Sequence, residues 1–346
     1  MGRAAAPALN PIQNPHLQRK FRPVSPNLSS PPGATPEPRI VVLGSLNMDI
    51  VLRVPKAPAA GETVVGRSID QIPGGKGANQ AVSCARQGAR VAMAGCVGDD
   101  AHGHALRAAL ARDGIDTTAL HTAEGGEPTG TALILVEDSG QNRIAIVPGA
   151  NARLALDVPA LRAQLAGAAF LVMQFEVPMD QVAHAAALAH DAGCKVLLNP
   201  SPVQPMADAM WPHIDTLVLN EIEAEALCGH PAKSPRQAAR AGRLLRAKGV
   251  ARVVVTLGAH GAVAVDADGA RHHPAPNIQP VDTTAAGDTF LGALAVALGE
   301  GQSFDAAVRL GIRAAALCIR QPGAQPSIPQ RDAVQQSPLP PDWVAL

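Results

Sequence analysis

From Arg39 onward, short runs of branched apolar residues alternate with longer stretches whose apolar positions recur at helical spacing. Arg39-Ile40-Val41-Val42-Leu43-Gly44-Ser45 is the first run, and others occupy 91–97, 170–175, 195–199, 216–219 and 253–256. Near-continuous apolar runs of this length are the pattern of strands covered on both faces. Helical spacing is found over 102–112, 156–165, 178–192, 222–228, 235–248, 288–298 and 303–319. A further helix opens in the glycine-rich segment 73–81 and runs to about Gln87. This alternation predicts an α/β fold with a mainly parallel central sheet, and functional side chains just past the carboxyl ends of its strands. Asn47, Asp49, Glu176, Asn199, Asn220 and Gly258 fall at such ends.

Two regions break the alternation. Residues 50–72 are extended and punctuated by Pro and Gly, and 130–135 with 143–147 read as a hairpin around the polar stretch 137–141. Together they form a small β element outside the main sheet, with exposed strand edges that favour pairing with a second copy. Residues 1–38 are rich in Pro, Ala, Asn and Ser, with no acid before Glu37. They read as a disordered extension or an over-long start, with a faint transit-peptide character. No apolar core of signal-peptide length follows Arg3, so secretion is not expected. Residues 331–346 read as a loose tail.

With 346 residues, 47% of them hydrophobic, the chain can bury a large core. Its zero net charge and 2% aromatic content, with no Tyr, argue against a nucleic-acid or acidic-membrane partner. Five cysteines without CxxC spacing read as reduced, mostly buried thiols of a cytoplasmic protein. The eleven His show no metal-ligand spacing, and His272-His273 reads as the end of a surface strand.

Candidate chemistry concentrates in Val281-Asp282-Thr283-Thr284-Ala285-Ala286-Gly287-Asp288-Thr289-Phe290-Leu291-Gly292-Ala293-Leu294. A helix starting at Ala285-Ala286-Gly287 presents unpaired amides and the positive end of its dipole, with no bulky side chain to keep a phosphate away. Asp288 in that first turn is favoured by the dipole, so it is expected to stay ionised and to be available to take a proton. An isolated Asp there is commonly only a helix-terminal acid, but such an acid needs no small-residue run before it. Pro73-Gly74-Gly75-Lys76-Gly77-Ala78-Asn79-Gln80-Ala81 is not a Walker A loop, since Gly77 stands where Ser or Thr is required. Its glycines let backbone approach a ligand, and Lys76 and Asn79 supply donors. Asn220-Glu221-Ile222-Glu223 is by itself a common helix-capping arrangement.

These segments resemble the two signatures of the ribokinase (PfkB) family of carbohydrate kinases, the first in Gly74–Ala81 and the second in Asp282–Ala293, and the resemblance covers roughly 39–330. It implies a three-layer α/β sandwich with a small β lid from about 47–72 and 128–148. It implies Asp288 as the base on a sugar hydroxyl, above an anion hole of the Ala285, Ala286 and Gly287 amides. Asn47, Asp49, Gly75, Lys76, Gly77, Asn79 and Glu176 would hold the sugar with Asp288. Asn220, Thr256, Gly258, Ala259, His260, Gly261 and Gly287 would hold ATP, and Glu223 would reach Mg²⁺ through water. Asp282, Thr284, Cys318, Gln321, Gly323 and Ser327 would enclose K⁺. Ile312 departs from a position near the adenine that is often polar, so contact there is expected to be apolar. The local matches are nearer the ribokinase branch than the adenosine kinase or fructokinase branches. The expected activity is therefore ATP-dependent phosphorylation of D-ribose at O5 by a cytoplasmic homodimer joined through its lids. The alternatives are another sugar or nucleoside kinase of the family, or a non-catalytic sugar-binding regulator.

Overall fold

In the computed structural model, which describes residues 37–346, the first apolar run forms β1 (Arg39–Leu43). The expected disordered extension lies outside the described residues apart from 37 and 38. Side chains of β1 alternate between faces, so Ile40 and Val42 join one core layer while Val41 and Leu43 join the other. The chain continues through β2 (Asn47–Val54), β3 (Ser68–Gly74), α1 (Lys76–Arg86), β4 (Arg90–Val97), α2 (Ala101–Arg112), β5 (Leu120–Thr122), β6 (Gly130–Glu137) and β7 (Asn142–Val147). The regular alternation then gives α3 (Val158–Leu165), β8 (Phe170–Met173), α4 (Met179–Asp191), β9 (Lys195–Leu198), β10 (Thr216–Asn220), α5 (Glu221–Cys228), α6 (Pro235–Arg246) and β11 (Arg252–Thr256). Last come β12 (Ala262–Asp266), β13 (Gly269–His273), α7 (Ala286–Gly299), α8 (Phe304–Cys318), α9 (Arg331–Gln336) and β14 (Val344–Ala345).

The main sheet has the order β14-β13-β12-β11-β10-β9-β8-β1-β4-β5. It is parallel from β5 to β11 and antiparallel from β11 to β14. Helices α1, α2, α7 and α8 cover one face, and α3, α4, α5 and α6 cover the other. These are the three expected layers. The lid is a separate four-stranded sheet of order β3-β2-β6-β7, with β2 parallel to β6 and the other pairs antiparallel.

Asn47 and Asp49 stand in β2, at the root of the lid, which the chain enters a few residues past the end of β1. Two expectations change. His273 is fully buried instead of ending a surface strand: its Nε2 lies 2.9 Å from Asp305 of α8, and Arg271 joins Asp266 and Asp305 beside it. Residues 331–346 are packed, not loose. Arg331 bonds Glu300 and the Gln87 carbonyl, β14 pairs with β13, and Arg309 reaches Asp342 at 2.6 Å. Arginines (Arg309 and Arg313 of α8, and Arg331 of the tail) and the single buried apolar side chain Val334 provide this attachment, so the tail's mostly polar composition did not reveal it.

Candidate active site

The turn before α7 is held by its own side chains. Asp282 accepts from the Thr284 amide at 2.9 Å, the Thr284 hydroxyl at 2.6 Å and the Gly323 amide at 2.8 Å. Burial alone would raise its pKa, but these bonds outweigh it and keep the carboxyl below its usual range. Ala285 then takes φ 59°, the one positive φ outside glycine among the described residues. That conformation costs an L-residue about 1–2 kcal/mol. It turns the chain so that the Gly287 and Asp288 amides find no backbone acceptor among the described residues, while the Ala286 amide has a long 3.3 Å bond to Thr283. Strain here supports a small anion-binding concavity.

Asp288 is buried at the first turn of α7. Asn79 Nδ2 donates to its Oδ2 at 3.1 Å and Gln80 Nε2 to its Oδ1 at 2.9 Å, both from α1. Burial pushes its pKa up, and Lys76, Gln80 and Asn79 only partly offset that. Asp49 is raised to about 7 by burial, with the Glu176 and Asp288 charges adding. Burial would depress Lys76, but the charges of Asp288, Glu176 and Glu223 outweigh it and keep the ammonium protonated.

Three cavities meet at this turn. One of about 200 Å³ lies under the lid and is lined by Asp49, Arg53, Asp70, Asp282 and Thr284 among others. A polar one of about 140 Å³ is lined by Lys76, Asn220, Glu223, Thr256, Ala285 and Asp288 among others. A mostly apolar one of about 450 Å³ runs from Thr256 and Gly287 to Phe290, Ile312 and Ile319. Thr284 and Ala285, adjacent in sequence, thus stand between the lid side and the polar cavity.

The pattern "pfkB family carbohydrate kinase" matches residues 37–331. The chain belongs to the pfkB family of carbohydrate kinases. It is 43% identical over 293 residues to a ribokinase of Haemophilus influenzae, spanning 84% of this chain and 95% of that one. A Schizosaccharomyces pombe ribokinase is 38% identical over 301 residues, spanning 84% and 94%. The solved structure of Arabidopsis thaliana ribokinase complexed with ribose and ATP superposes with TM-score 0.81 at 34% identity, over 87% of this chain and 98% of that one.

Most residues the resemblance points to in this pfkB-family chain gather around the turn. Asn79 and Asp288 touch, Lys76 and Glu223 share the polar cavity, and Glu176 accepts from the Ser45 hydroxyl and the Lys76 amide. Asn220 and Glu223 form a reciprocal capping box, which ties up one oxygen of each side chain. Thr256, Gly258, Ala259 and Gly261 line the apolar cavity, whereas His260 does not, and its carbonyl faces His272 at 2.7 Å. Ile312 lines the same cavity. Ser327 and Cys318 are buried against each other at 3.1 Å with the Cys318 thiol 3.6 Å from the Thr284 carbonyl. Gln321 is exposed, and its amide bonds the Cys318 carbonyl at 3.1 Å.

The glycines of the first signature also make room for neighbouring groups of the chain itself. A Cβ on Gly74 would sit 2.2 Å from Asp49 Oδ2, and one on Gly77 would sit 2.7 Å from the Gly44 backbone. Gly75 has φ 89° and lies under the Asn47 amide. The room they leave is filled by the chain's own site-forming groups. Sequence reasoning missed Gln80, Gln174 and Ser45 as site residues. Gln174 Nε2 donates to Gln80 Oε1 at 2.5 Å, which orients Gln80's amide toward Asp288. Their only sequence signal was proximity to motif residues.

Proposed function

We propose that the chain phosphorylates D-ribose at O5 with ATP, giving ribose 5-phosphate and ADP. The observation that carries this reading is Asp288, a buried carboxylate at the strained turn where the lid-side and nucleotide-side cavities meet. The relatives' names supply the sugar and the nucleotide. Asn47, Asp49, Lys76 and Glu176 orient the sugar beneath the lid. Asp288 takes the proton of the 5-hydroxyl as O5 bonds the γ-phosphorus and the bond to the ADP oxygen breaks. A carboxyl whose pKa is raised is better matched to a hydroxyl than an ordinary one. The Gly287 amide and its neighbours, with Lys76, meet charge developing on the phosphoryl oxygens.

Among the described residues no cluster of three or more His, Cys, Asp or Glu forms a metal site, which suits Mg²⁺ arriving with ATP and keeping its waters. Glu223 fits that role: Oε2 is fixed by the Asn220 amide, and the side chain lines the polar cavity. Mg²⁺ would there supply charge neutralisation of the phosphates. The Asp282–Thr284 turn packed against 318–327 suits a monovalent cation held by main-chain oxygens, and K⁺ is the reading taken. Five free thiols, four of them buried, suit the cytoplasm.

A substrate panel of ribose, deoxyribose, fructose and adenosine, with coupled ADP detection in K⁺ and in Na⁺, tests the reading. Ribose should give the highest kcat/KM, and K⁺ should exceed Na⁺. Asp288→Asn should lower kcat by roughly 10²–10⁴-fold while ribose binding by calorimetry persists. Near-normal turnover by that variant removes Asp288 from the base's role.

A further inference from the structure

Asn151 is 1% exposed and lies in the single turn Gly149–Arg153, where the chain leaves the lid after β7. Its Oδ1 accepts from the Leu46 amide at 2.9 Å, and its Nδ2 donates to the Leu46 carbonyl at 3.0 Å and to Asn47 Oδ1 at 2.8 Å. Leu46 and Asn47 mark where the chain enters the lid from β1, so one amide staples the lid's entry to its exit. The fit is close. Gly130 pairs with Asn47 across β2 and β6, and a Cβ there would sit 2.1 Å from Asn151 Nδ2 and 2.3 Å from Asn47 Oδ1.

The Leu46 amide and carbonyl cannot exchange places, so the backbone fixes which end of Asn151 is the donor. That donor in turn fixes Asn47, because a flipped Asn47 would set two NH₂ groups against each other and leave a buried donor unpaired. One bond to Asn47 Oδ1 is thereby committed, and its NH₂, which makes no hydrogen bond among the described residues, is the group it has free for a ligand. Asp49, two residues on and on the same side of β2, offers acceptor oxygens.

We infer that Asn151 is a positioning residue that acts through Asn47, holding it as a donor to one sugar hydroxyl while Asp49 accepts from another. This rests on the sugar-kinase reading of the site. A double-mutant cycle of Asn47→Ala and Asn151→Ala tests it. Each single variant should raise the sugar's KM about tenfold, the pair should raise it no further than Asn47→Ala alone, and the ATP KM should move less than twofold in Asn151→Ala. Multiplying effects, or ATP and sugar KM rising together, would overturn the inference. Asn47→Asp covers the case in which Asn151→Ala does not fold. It keeps an acceptor for Asn151 but presents the sugar with an acceptor in place of a donor, so its sugar KM should also rise at least tenfold. A wild-type KM in Asn47→Asp overturns the donor assignment. The cycle is run with whichever sugar of the panel the wild-type chain phosphorylates best, so a wrong substrate and a wrong role for Asn151 give different results.

Discussion

Asp49 is buried, with the charges of Glu176 and Asp288 acting on it, and its burial carries a pH signature. Its pKa in the folded chain is about 7, against about 3.9 for an unfolded Asp. Between those values the folded protein holds a proton that the unfolded chain has lost. The stability that neutral Asp49 contributes is therefore complete below about pH 4 and declines as pH rises to about 7. Above that, the buried charge costs up to about 4 kcal/mol, at 1.36 kcal/mol for each pH unit between the two values. Asp49→Asn should consequently raise the denaturation midpoint at pH 8 and change it little at pH 4.5, as urea unfolding at both pH values would show. The ligand effect runs the other way, because only the ionised form accepts from two hydroxyls. The ribose KM should fall severalfold from pH 6 to pH 8 in the wild type and be flat in Asp49→Asn. A wild-type KM independent of pH over that range would remove Asp49 from sugar binding. Lys76 stays charged throughout and adds nothing to the slope.

Helix α8 links two parts of the chain that the sequence keeps apart. One side of it, through Ile312, Ala315 and Ala316, lines the apolar cavity. Its arginines hold the C-terminal segment: Arg309 bonds Asp342 and the Pro340 carbonyl, and Arg313 bonds the Gln335 and Ser337 carbonyls. β14 then covers the edge of β13, which leads into residues 275–278 of the cavity wall. Removing residues 338–346 should lower Tm by only about 2–4 °C, since exposed ion pairs contribute little. The same deletion should raise the ATP KM more than the ribose KM, measured by steady-state kinetics with each substrate varied in turn; an equal rise in both would mean that α8 is not the element affected. The parallel strands and their helices were legible because burial on both faces leaves a periodic record. So was the turn at 285–288, whose small residues are adjacent in sequence. β5 and the hairpin of β12 and β13 pair with nearby segments but are too short or too polar to stand out, whereas β14 was not legible because its partner β13 is distant in sequence. Gln80 and Asn151 escaped for the same reason, their decisive contacts lying 208 and 105 residues away.

At the scale of the molecule, the lid is a thin sheet whose outer strands have no cover. All of β7 is exposed, and Ile144 and Ile146 are each about half exposed on the same side of the sheet as Asp49, Val51 and Ile134. That side also roofs the cavity under the lid through Asp49, Val51 and Ile134, so an apolar lip continues outward from the cavity roof. A contiguous apolar surface beside an open strand edge is costly to leave in water and invites pairing. No helix among the described residues is long and apolar enough to cross a membrane. We propose that a second copy's lid meets this face, which would satisfy both the edge and the lip and close the cavity mouth from outside. Ile144→Asp with Ile146→Asp places two charges on that lip without touching a residue that bonds Asp288. The double variant should shift sedimentation at micromolar concentration from dimer to monomer and raise the ribose KM several-fold, with the ATP KM little changed. A wild-type chain that sediments as a monomer, or a variant that remains a dimer, would rule out assembly through this face.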